Sequence, residues 1–496
     1  MSADQILVER LAEARVLVLG DVMLDRYVYG SVDRMSPEAP VPVLRQTSLR
    51  AMAGGAGNVA RNIAALGGKA LLIGLIGDDA AGRELQAMLG DEHNVSARLI
   101  ADRHRPTTVK TRFIAGRQQL LRLDDEAPHP ATGETAAALL AALKSALGSV
   151  DIVLLSDYAK GVLGDEVLQR AIAMIHGAGK RLVVDPKSRD FRRYAGADLL
   201  TPNRGELAAA TGLSGEDDES VAAAAQKAIA AAGVAALLVT RSERGMTLVE
   251  PGRPPLHLAA EAREVFDVSG AGDTSIAALA SALAIGADLP TAARLANTAA
   301  GIAAGKLGTA VVHPADLLGA MQARTVLASE AKVVALESAL ERIQRWRAAG
   351  ERIAFTNGCF DLIHPGHVSI LGQARAAADR LIVGLNSDAS IQRLKGPDRP
   401  VQNETARGIV LASLGMVDLV LVFDEDTPIE LIRAIRPEVL VKGADYRLDQ
   451  VVGADVVQSY GGRVLLADLL AGHSTTGTIA RVGAQAGAQT GNGRRA

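Results

Sequence analysis

Two α/β domains are predicted: a doubly wound, mainly parallel sheet carrying a β flap, then a smaller α/β unit. Three observations predict them. At 496 residues the chain exceeds one ordinary hydrophobic core, given roughly 100–200 residues per domain. Short runs rich in Val, Ile and Leu recur between helical patterns, as buried parallel strands do. Two glycine- or histidine-bearing stretches, Asp267–Thr274 and Thr356–His367, stand about ninety residues apart, far enough for each to occupy its own domain.

The runs of the first domain are Val16–Leu19, Leu71–Ile76, Ile152–Leu155, Leu182–Val184 and Ala236–Val239. They lead into polar or glycine-containing stretches: Gly20-Asp21, Gly77-Asp78, Ser156-Asp157, Asp185-Pro186-Lys187 and Thr240-Arg241-Ser242. In a doubly wound sheet, ligands bind beyond such carboxyl-terminal strand ends. Residues 27–44 and 106–123 break the rhythm and read as the short antiparallel strands of a flap. Within the second, Val109, Thr111 and Phe113 share one face and Lys110 and Arg112 the other.

After Pro314 the pattern loosens, and Leu336, Leu340 and Ile343 mark one stripe of a charged helix ending near Gly350. The expected division is therefore a first domain over 1–320, a linker helix over 321–349 and a second domain over 350–482. Its strands are expected near Ile353–Phe355, Leu381–Leu385, Leu419–Phe423, Val439–Val441 and Val464–Leu466. From Gly483 the Gly-, Ala- and Gln-rich tail, 483–496, has little to pack and is expected to be disordered.

Hydrophobic residues at 48% and charged residues at 22% fit a soluble protein of helices and parallel strands. A formal net charge of −3 offers no global basic field, which argues against a nucleic-acid partner and makes any phosphate binding local. Cys359 is the only cysteine, so neither an internal disulfide framework nor a cysteine zinc site is available, in keeping with a cytoplasmic location. No run reaches the ~18–20 apolar residues of a membrane span, and Met1–Leu11 lacks the pattern of a signal peptide. No protein-bound metal cage is expected.

Asp267–Thr274 precedes an Ala-rich helical stretch, so Gly270, Ala271 and Gly272 fall at a helix N-terminus, where backbone amides converge on an anion. Asp273 is then placed to take a proton from an attacking hydroxyl while those amides hold a phosphoryl group. A glycine-rich helix cap would account for the same residues. Two further stretches accompany it. Gly54-Gly55-Ala56-Gly57-Asn58 opens a helix with Val59, Ile63 and Leu66 on its buried face, and Asn203-Arg204-Gly205-Glu206 follows the strand end at Leu199–Thr201. The paired amide and carboxylate of Asn203 and Glu206 suit hydrated Mg2+ and phosphate. No G-x-x-x-x-G-K-[ST] loop is present.

Together and in this order, these stretches resemble the ribokinase-like carbohydrate kinases over roughly residues 10–320. The resemblance implies a catalytic base at Asp273, an anion hole at Gly270–Gly272, and ATP with Mg2+ near Asn203, Arg204, Gly205 and Glu206. Lys187, Thr240, Gly245 and Asn297 match further nucleotide-side positions. Asp21, Asp25, Gly54, Gly55 and Asn58 would face the sugar. A monovalent cation near the anion hole is also implied.

In the second domain, His364-Pro365-Gly366-His367 follows a strand and a short loop, with Pro365 suited to the first turn of a helix. Two imidazoles there can donate hydrogen bonds to the phosphates of a nucleotide under attack. Exposed loop histidines or a metal site remain the alternatives. Thr356-Asn357-Gly358-Cys359-Phe360-Asp361 precedes them. Lys395, Lys442-Gly443 and Ser474-Thr475-Thr476 follow.

This series resembles the cytidylyltransferase-like family over 350–482, a Rossmann-like nucleotidyltransferase fold. The resemblance implies catalytic roles for His364, His367 and Lys395. Nucleotide contacts would come from Thr356, Asn357, Gly358, Phe360, Asp361, Gly366, Lys442, Ser474, Thr475 and Thr476.

The order of the two domains, with Ser36-Pro37-Glu38-Ala39-Pro40-Val41-Pro42-Val43 in the flap, resembles the bifunctional heptose kinase/adenylyltransferases of Gram-negative bacteria. The resemblance implies phosphorylation of D-glycero-β-D-manno-heptose 7-phosphate at O1, then transfer of AMP from ATP to heptose 1-phosphate, giving ADP-heptose for lipopolysaccharide core. ATP and heptose phosphates would be the partners, with Lys110, Arg112 and Arg122 offering cations to the 7-phosphate. A homodimer is expected, the flap completing a neighbour's site. A kinase for another sugar phosphate joined to a cytidylyltransferase, or a silent sugar-phosphate sensor, are the competing readings.

Overall fold

The computed structural model describes residues 3–116, 118–261, 270–306 and 310–468. The chain divides into two compact units, Met1–Met321 and Gln322–Ala496. Asp267, Val268, Ser269, Ser474, Thr475 and Thr476 of the motifs, and the tail 483–496, lie outside the described residues.

The strands of the first unit are β1 (Arg15–Gly20), β2 (Val22–Met35), β3 (Pro42–Gly55), β4 (Lys69–Gly77), β5 (Val95–Asp102), β6 (Val109–Ala115), β7 (Gln118–Asp125), β8 (Ile152–Ser156), β9 (Arg181–Asp185), β10 (Leu199–Leu200), β11 (Leu237–Thr240), β12 (Met246–Val249) and β13 (Leu256–Leu258). Nine form one sheet in the order β13-β12-β11-β10-β9-β8-β1-β4-β5, parallel except where β12 pairs with β11 and β13. Period-two burial explains the double winding. Along β1, Val16 and Val18 point into a core with Val59, Ile63 and Leu279, while Leu17 and Leu19 point into the opposite core with Leu139, Leu143 and Leu168.

Parallel registers align Gly20 with Ser156 and Ser156 with Asp185, so Asp21, Asp157 and Asp185 emerge at one end of the sheet. β1 and β8 meet so closely that a Cβ on Gly20 would stand 2.1 Å from the Ser156 carbonyl oxygen, and only glycine fits there. The flap is a second sheet, β3-β2-β6-β7, whose two antiparallel hairpins join through a parallel β2–β6 pair. It is longer than the strands expected at 27–44 and 106–123.

The second unit adds β14 (Ile353–Gly358), β15 (Arg380–Asn386), β16 (Leu419–Phe423), β17 (Val439–Gly443) and β18 (Arg463–Ala467), all parallel in the order β16-β15-β14-β17-β18. Ile353 and Phe355 pack on one face and Ala354 on the other. The helix Leu336–Ala348, expected in the linker, instead buries Ala339 and Ile343 in the core with Phe355, Ile432 and Ile435. Its apolar stripe is the reason, since it needs a face to cover it.

Candidate active sites

In the first unit, Gly270 (φ 81°) caps the helix Ala271–Ala284 and frees its first amides toward the carboxyl end of the sheet. Asp273 lies in the first turn and is 7% exposed. Its Oδ2 accepts from Asn58 Nδ2 at 2.7 Å and its Oδ1 from the Tyr158 hydroxyl at 2.5 Å. Desolvation pushes this carboxyl up to about 6, with Asp25 adding to the rise, while Tyr158, Asn58 and Lys110 oppose it. It is thus mostly ionised at neutral pH and still basic enough to accept a proton.

Beside Asp273, a cavity of about 180 Å³ is lined by Asp185, Lys187, Asn203, Glu206, Thr240 and Gly272, among others. Asn203 and Glu206 form a capping box on the helix Arg204–Thr211, and Glu206 also pairs with Lys187 at 2.8 Å. The amide and carboxylate expected near Mg2+ therefore first serve each other. Asp185 is pushed well up by desolvation, then by the charges of Asp273 and Glu206, with Lys187 opposing. Hydrated Mg2+ binds through oxygen donors of this kind. Arg204 and Gly205 begin the capped helix. Gly245 takes a left-handed turn against Leu258, and Asn297 donates to the Ala259 carbonyl at 2.8 Å. Neither is among the residues lining the cavity.

Of the residues expected at the sugar, Asn58 reaches Asp273, and Asp25 accepts from Arg112 at 2.6 Å. Gly54 and Gly55 pair with Met23 and Val22 at the base of the flap, and a Cβ on Gly54 would stand 2.2 Å from Asp25 Oδ2. The Asp21 carboxylate is 1% exposed and accepts the amides of Tyr158, Lys160 and Val162 at 2.8, 2.9 and 3.0 Å, and so anchors the loop after β8. Among the flap cations, Arg122 pairs with Asp124. Lys110 makes no side-chain hydrogen bond or ion pair among the described residues, and burial and then Lys160 lower its pKa.

In the second unit β14 leads to the helix Pro365–Ala376, with His364 at its N-cap and Pro365 in its first turn. The rings of His364 and His367 stack, and Phe360 tilts against His367 at 5.1 Å. Ile363, His364, Pro365, Val368 and Ser369 line an open cavity of about 520 Å³. Gly366 is buried behind it, and Thr356 is buried in β14. Lys442 donates to the Asn357 carbonyl at 3.1 Å, and burial pulls it down to about 8. A Cβ on Gly358 would press at 3.0 Å on the Phe360 ring. Lys395 ends the helix Asp388–Lys395 and is exposed.

Asp361, expected at the nucleotide, is tied to a later loop. It accepts from Arg399 at 2.6 Å and from the Val401 amide at 2.7 Å. Burial works to raise its pKa, but these partners hold it below the ordinary carboxylate value. It fastens the 399–402 loop.

Three residues packed around the candidate sites escaped the sequence reading. Tyr158 was visible only as the residue after the strand end Ser156-Asp157. Asn62 accepts from Thr274 at 2.9 Å, behind Asn58. Arg407 is 1% exposed and donates to the carbonyls of Cys359, Asn386 and Gln402 and to Asp388, tying together the loops around the histidines. No local pattern marks a buried arginine of this kind.

The pfkB family carbohydrate kinase model matches residues 13–316, and the cytidylyltransferase-like model matches 355–468. Among curated proteins, bifunctional protein HldE of Rhodospirillum rubrum is 58% identical over 96% of this chain and 96% of its own length. Bifunctional protein HldE of Caulobacter sp. strain K31 is 59% identical over 95% and 96%. Among solved structures, phosphofructokinase-2 of Escherichia coli in complex with potassium is similar with a TM-score of 0.53 at 22% identity, covering 62% of this chain and 97% of its own, a likeness of fold. With both models matched in order and curated relatives aligned along nearly its whole length, the chain belongs to the bifunctional HldE proteins, a pfkB carbohydrate kinase joined to a cytidylyltransferase-like domain.

Proposed function

We propose that the chain carries out two separate steps of ADP-heptose synthesis. The first unit transfers the γ-phosphoryl group of Mg2+-ATP to O1 of D-glycero-β-D-manno-heptose 7-phosphate. The second joins D-glycero-β-D-manno-heptose 1-phosphate to the AMP part of ATP and releases pyrophosphate. The observation that carries this reading is the full-length likeness to bifunctional HldE proteins, with a buried carboxyl in one unit and paired imidazoles in the other.

In the kinase step the O1–H bond breaks as Asp273 takes the proton and O1 forms a bond to the γ-phosphorus. ADP leaves, and the amides at the start of the Ala271–Ala284 helix stabilise the transferring group. Lys110 and Arg112 on the flap supply cations for the 7-phosphate. In the transferase step the sugar phosphate oxygen attacks the α-phosphorus, and the imidazole N–H groups of His364 and His367 hold the charge while pyrophosphate departs. Lys395 closes on the triphosphate. A phosphatase must act between the two steps, because the first product bears two phosphates and the second substrate one.

A monovalent cation beside Gly270–Gly272 belongs to the same reading, and activation of the kinase by K+ over Na+ tests it. Among the described residues no helix is long and apolar enough to cross a membrane. With ATP and sugar phosphates as substrates, the proposed location is the cytoplasm. A homodimer is proposed through the flap, where Leu121 and Leu123 on β7 are 59% and 55% exposed and Met35 and Leu49 add apolar surface. Sedimentation showing a compact monomer would refute it.

Phosphorus NMR tests the substrates directly. Heptose 7-phosphate with Mg2+-ATP is expected to give ADP and an anomeric phosphate, and heptose 1-phosphate to give pyrophosphate and ADP-heptose. Turnover of heptose 1-phosphate with CTP but not ATP would point to a cytidylyltransferase, and no turnover with tight binding would point to a sensor.

A further inference from the structure

Tyr158 has no part in the steps above, yet its surroundings fix it firmly. It follows β8 directly, and its amide and those of Lys160 and Val162 are gathered by the Asp21 carboxylate. The adjacent Asp157 accepts the Ala159 amide at 2.7 Å and the Tyr194 hydroxyl at 2.6 Å. Ala159 is held at φ 57°, a left-handed backbone that a residue with a side chain adopts only when its surroundings impose it. Two buried carboxylates thus pin this loop from below.

The loop aims the phenol at the kinase base. Tyr158 Oη donates to Asp273 Oδ1 at 2.5 Å, and Asn58 Nδ2 donates to Oδ2 at 2.7 Å. Asn58 is itself braced, because Asn62 donates to its carbonyl at 2.9 Å and accepts from Thr274. Donors on both oxygens fix the rotation of a carboxylate whose χ2 is otherwise broad.

We infer that Tyr158 is a positioning residue of the kinase, clamping the Asp273 carboxylate with Asn58 in the orientation that receives the proton of the sugar hydroxyl. The inference rests on the reading of Asp273 as the base. The phenol keeps its own proton throughout. Desolvation, and then the negative charges of Asp273 and Asp185, push Tyr158 well above its ordinary value, so the bond that breaks is O–H of the sugar and the bond that forms is O–H on Asp273. A donor to the charged carboxylate also favours its ionised form. The other groups bearing on Asp273 are Asp25 of β2, which opposes ionisation, and Lys110 of β6, which favours it, while the charge of Asp273 in turn pushes up Asp185 of β9.

Tyr158→Phe keeps the ring and removes only the donor. It is expected to lower kcat about tenfold or more with KM for ATP unchanged, and to move the acid limb of the kinase pH profile upward by about one unit. Tyr158→3-fluorotyrosine keeps the hydroxyl and makes it a stronger donor, so it is expected to move the same limb downward, and it decides the matter if the Phe variant fails to fold. Wild-type kcat with an unmoved limb in Tyr158→Phe, or an unmoved limb in the fluorinated protein, would overturn the inference. So would a loss confined to KM for the sugar. Asp273→Asn is assayed alongside. Full turnover there would sink the reading of the base itself, whereas an inactive Asp273→Asn beside an unaffected Tyr158→Phe would sink only the role of Tyr158.

Discussion

The imidazoles of His364 and His367 stack with centroids 3.8 Å apart and planes 20° from parallel, at the N-terminus of one helix. Two imidazolium ions at that distance would repel strongly, so the stack is one that protonation opposes. Burial first, and then His364, bring His367 down to about 4.

His367 is accordingly neutral at pH 7 in the ligand-free protein. An NMR titration of its imidazole resonances in the ligand-free protein is expected to show a midpoint near 4; a midpoint at the ordinary value, about 6.5, would contradict it. The unfolded chain binds this proton near 6.5 and the folded chain only near 4. The linked stability is therefore complete above about 6.5 and is lost as the pH falls from there toward 4.

For the kinase, kcat/KM for the sugar phosphate is expected to rise through a pH of about 6, where Asp273 loses its proton, and then level off. Asp273→Asn is expected to cost on the order of 10²–10⁴ in kcat. The stability linkage has the opposite sign to that of His367. The folded value lies above the unfolded one, so this carboxyl favours folding at low pH and the contribution is lost as pH rises from about 4 through about 6. A profile with no acid limb near 6 would argue against Asp273 as the base.

Arg112 and Asp25 form an ion pair at 2.6 Å with side-chain exposures of 17% and 8%, and the guanidinium also lies over the Tyr27 ring at 5.1 Å. Arg112→Ala leaves the carboxylate buried without its partner. It is expected to cost about 2–4 kcal/mol in unfolding experiments and to raise KM for the sugar phosphate more than KM for ATP. Equal effects on both KM values would show that the flap contributes nothing specific to the sugar.

Arg407→Leu removes a buried cation while leaving three carbonyls and Asp388 without their donor. Calorimetry is expected to show an earlier transition for the second unit, by about 2–4 kcal/mol, with transferase activity falling and kinase activity kept. Simultaneous loss of both activities would contradict separate folding of the two units.

Much of the fold was legible because buried parallel strands announce themselves as unbroken apolar runs. β1, β4, β8, β9, β11 and all five strands of the second sheet fall where such runs lie. β5 was missed because it is a half-exposed edge strand with Arg98 in its middle, whereas β10 was read only as the strand end at Leu199–Thr201, two residues carrying little pattern. β12 and β13 turn back antiparallel at the other edge, out of the βα rhythm. The motif glycines, Asp273 and the two histidines stood out through spacing. The structural partners of Asp21 and Asp361 were not legible, because a carboxylate beside a motif looks the same in sequence whether it meets a ligand or a backbone amide. Tyr158 and Arg407 stayed hidden, since their partners lie 115 and up to 48 residues away.

The central claim is that one chain holds two independent sites, and a crossed assay tests it most directly. Asp273→Asn and His367→Ala are each measured for heptose 7-phosphate kinase and heptose 1-phosphate adenylyltransferase activity, with melting followed in parallel. The account predicts that Asp273→Asn loses only the kinase and His367→Ala only the transferase, both with wild-type melting. Loss of both activities in either well-folded variant would contradict it.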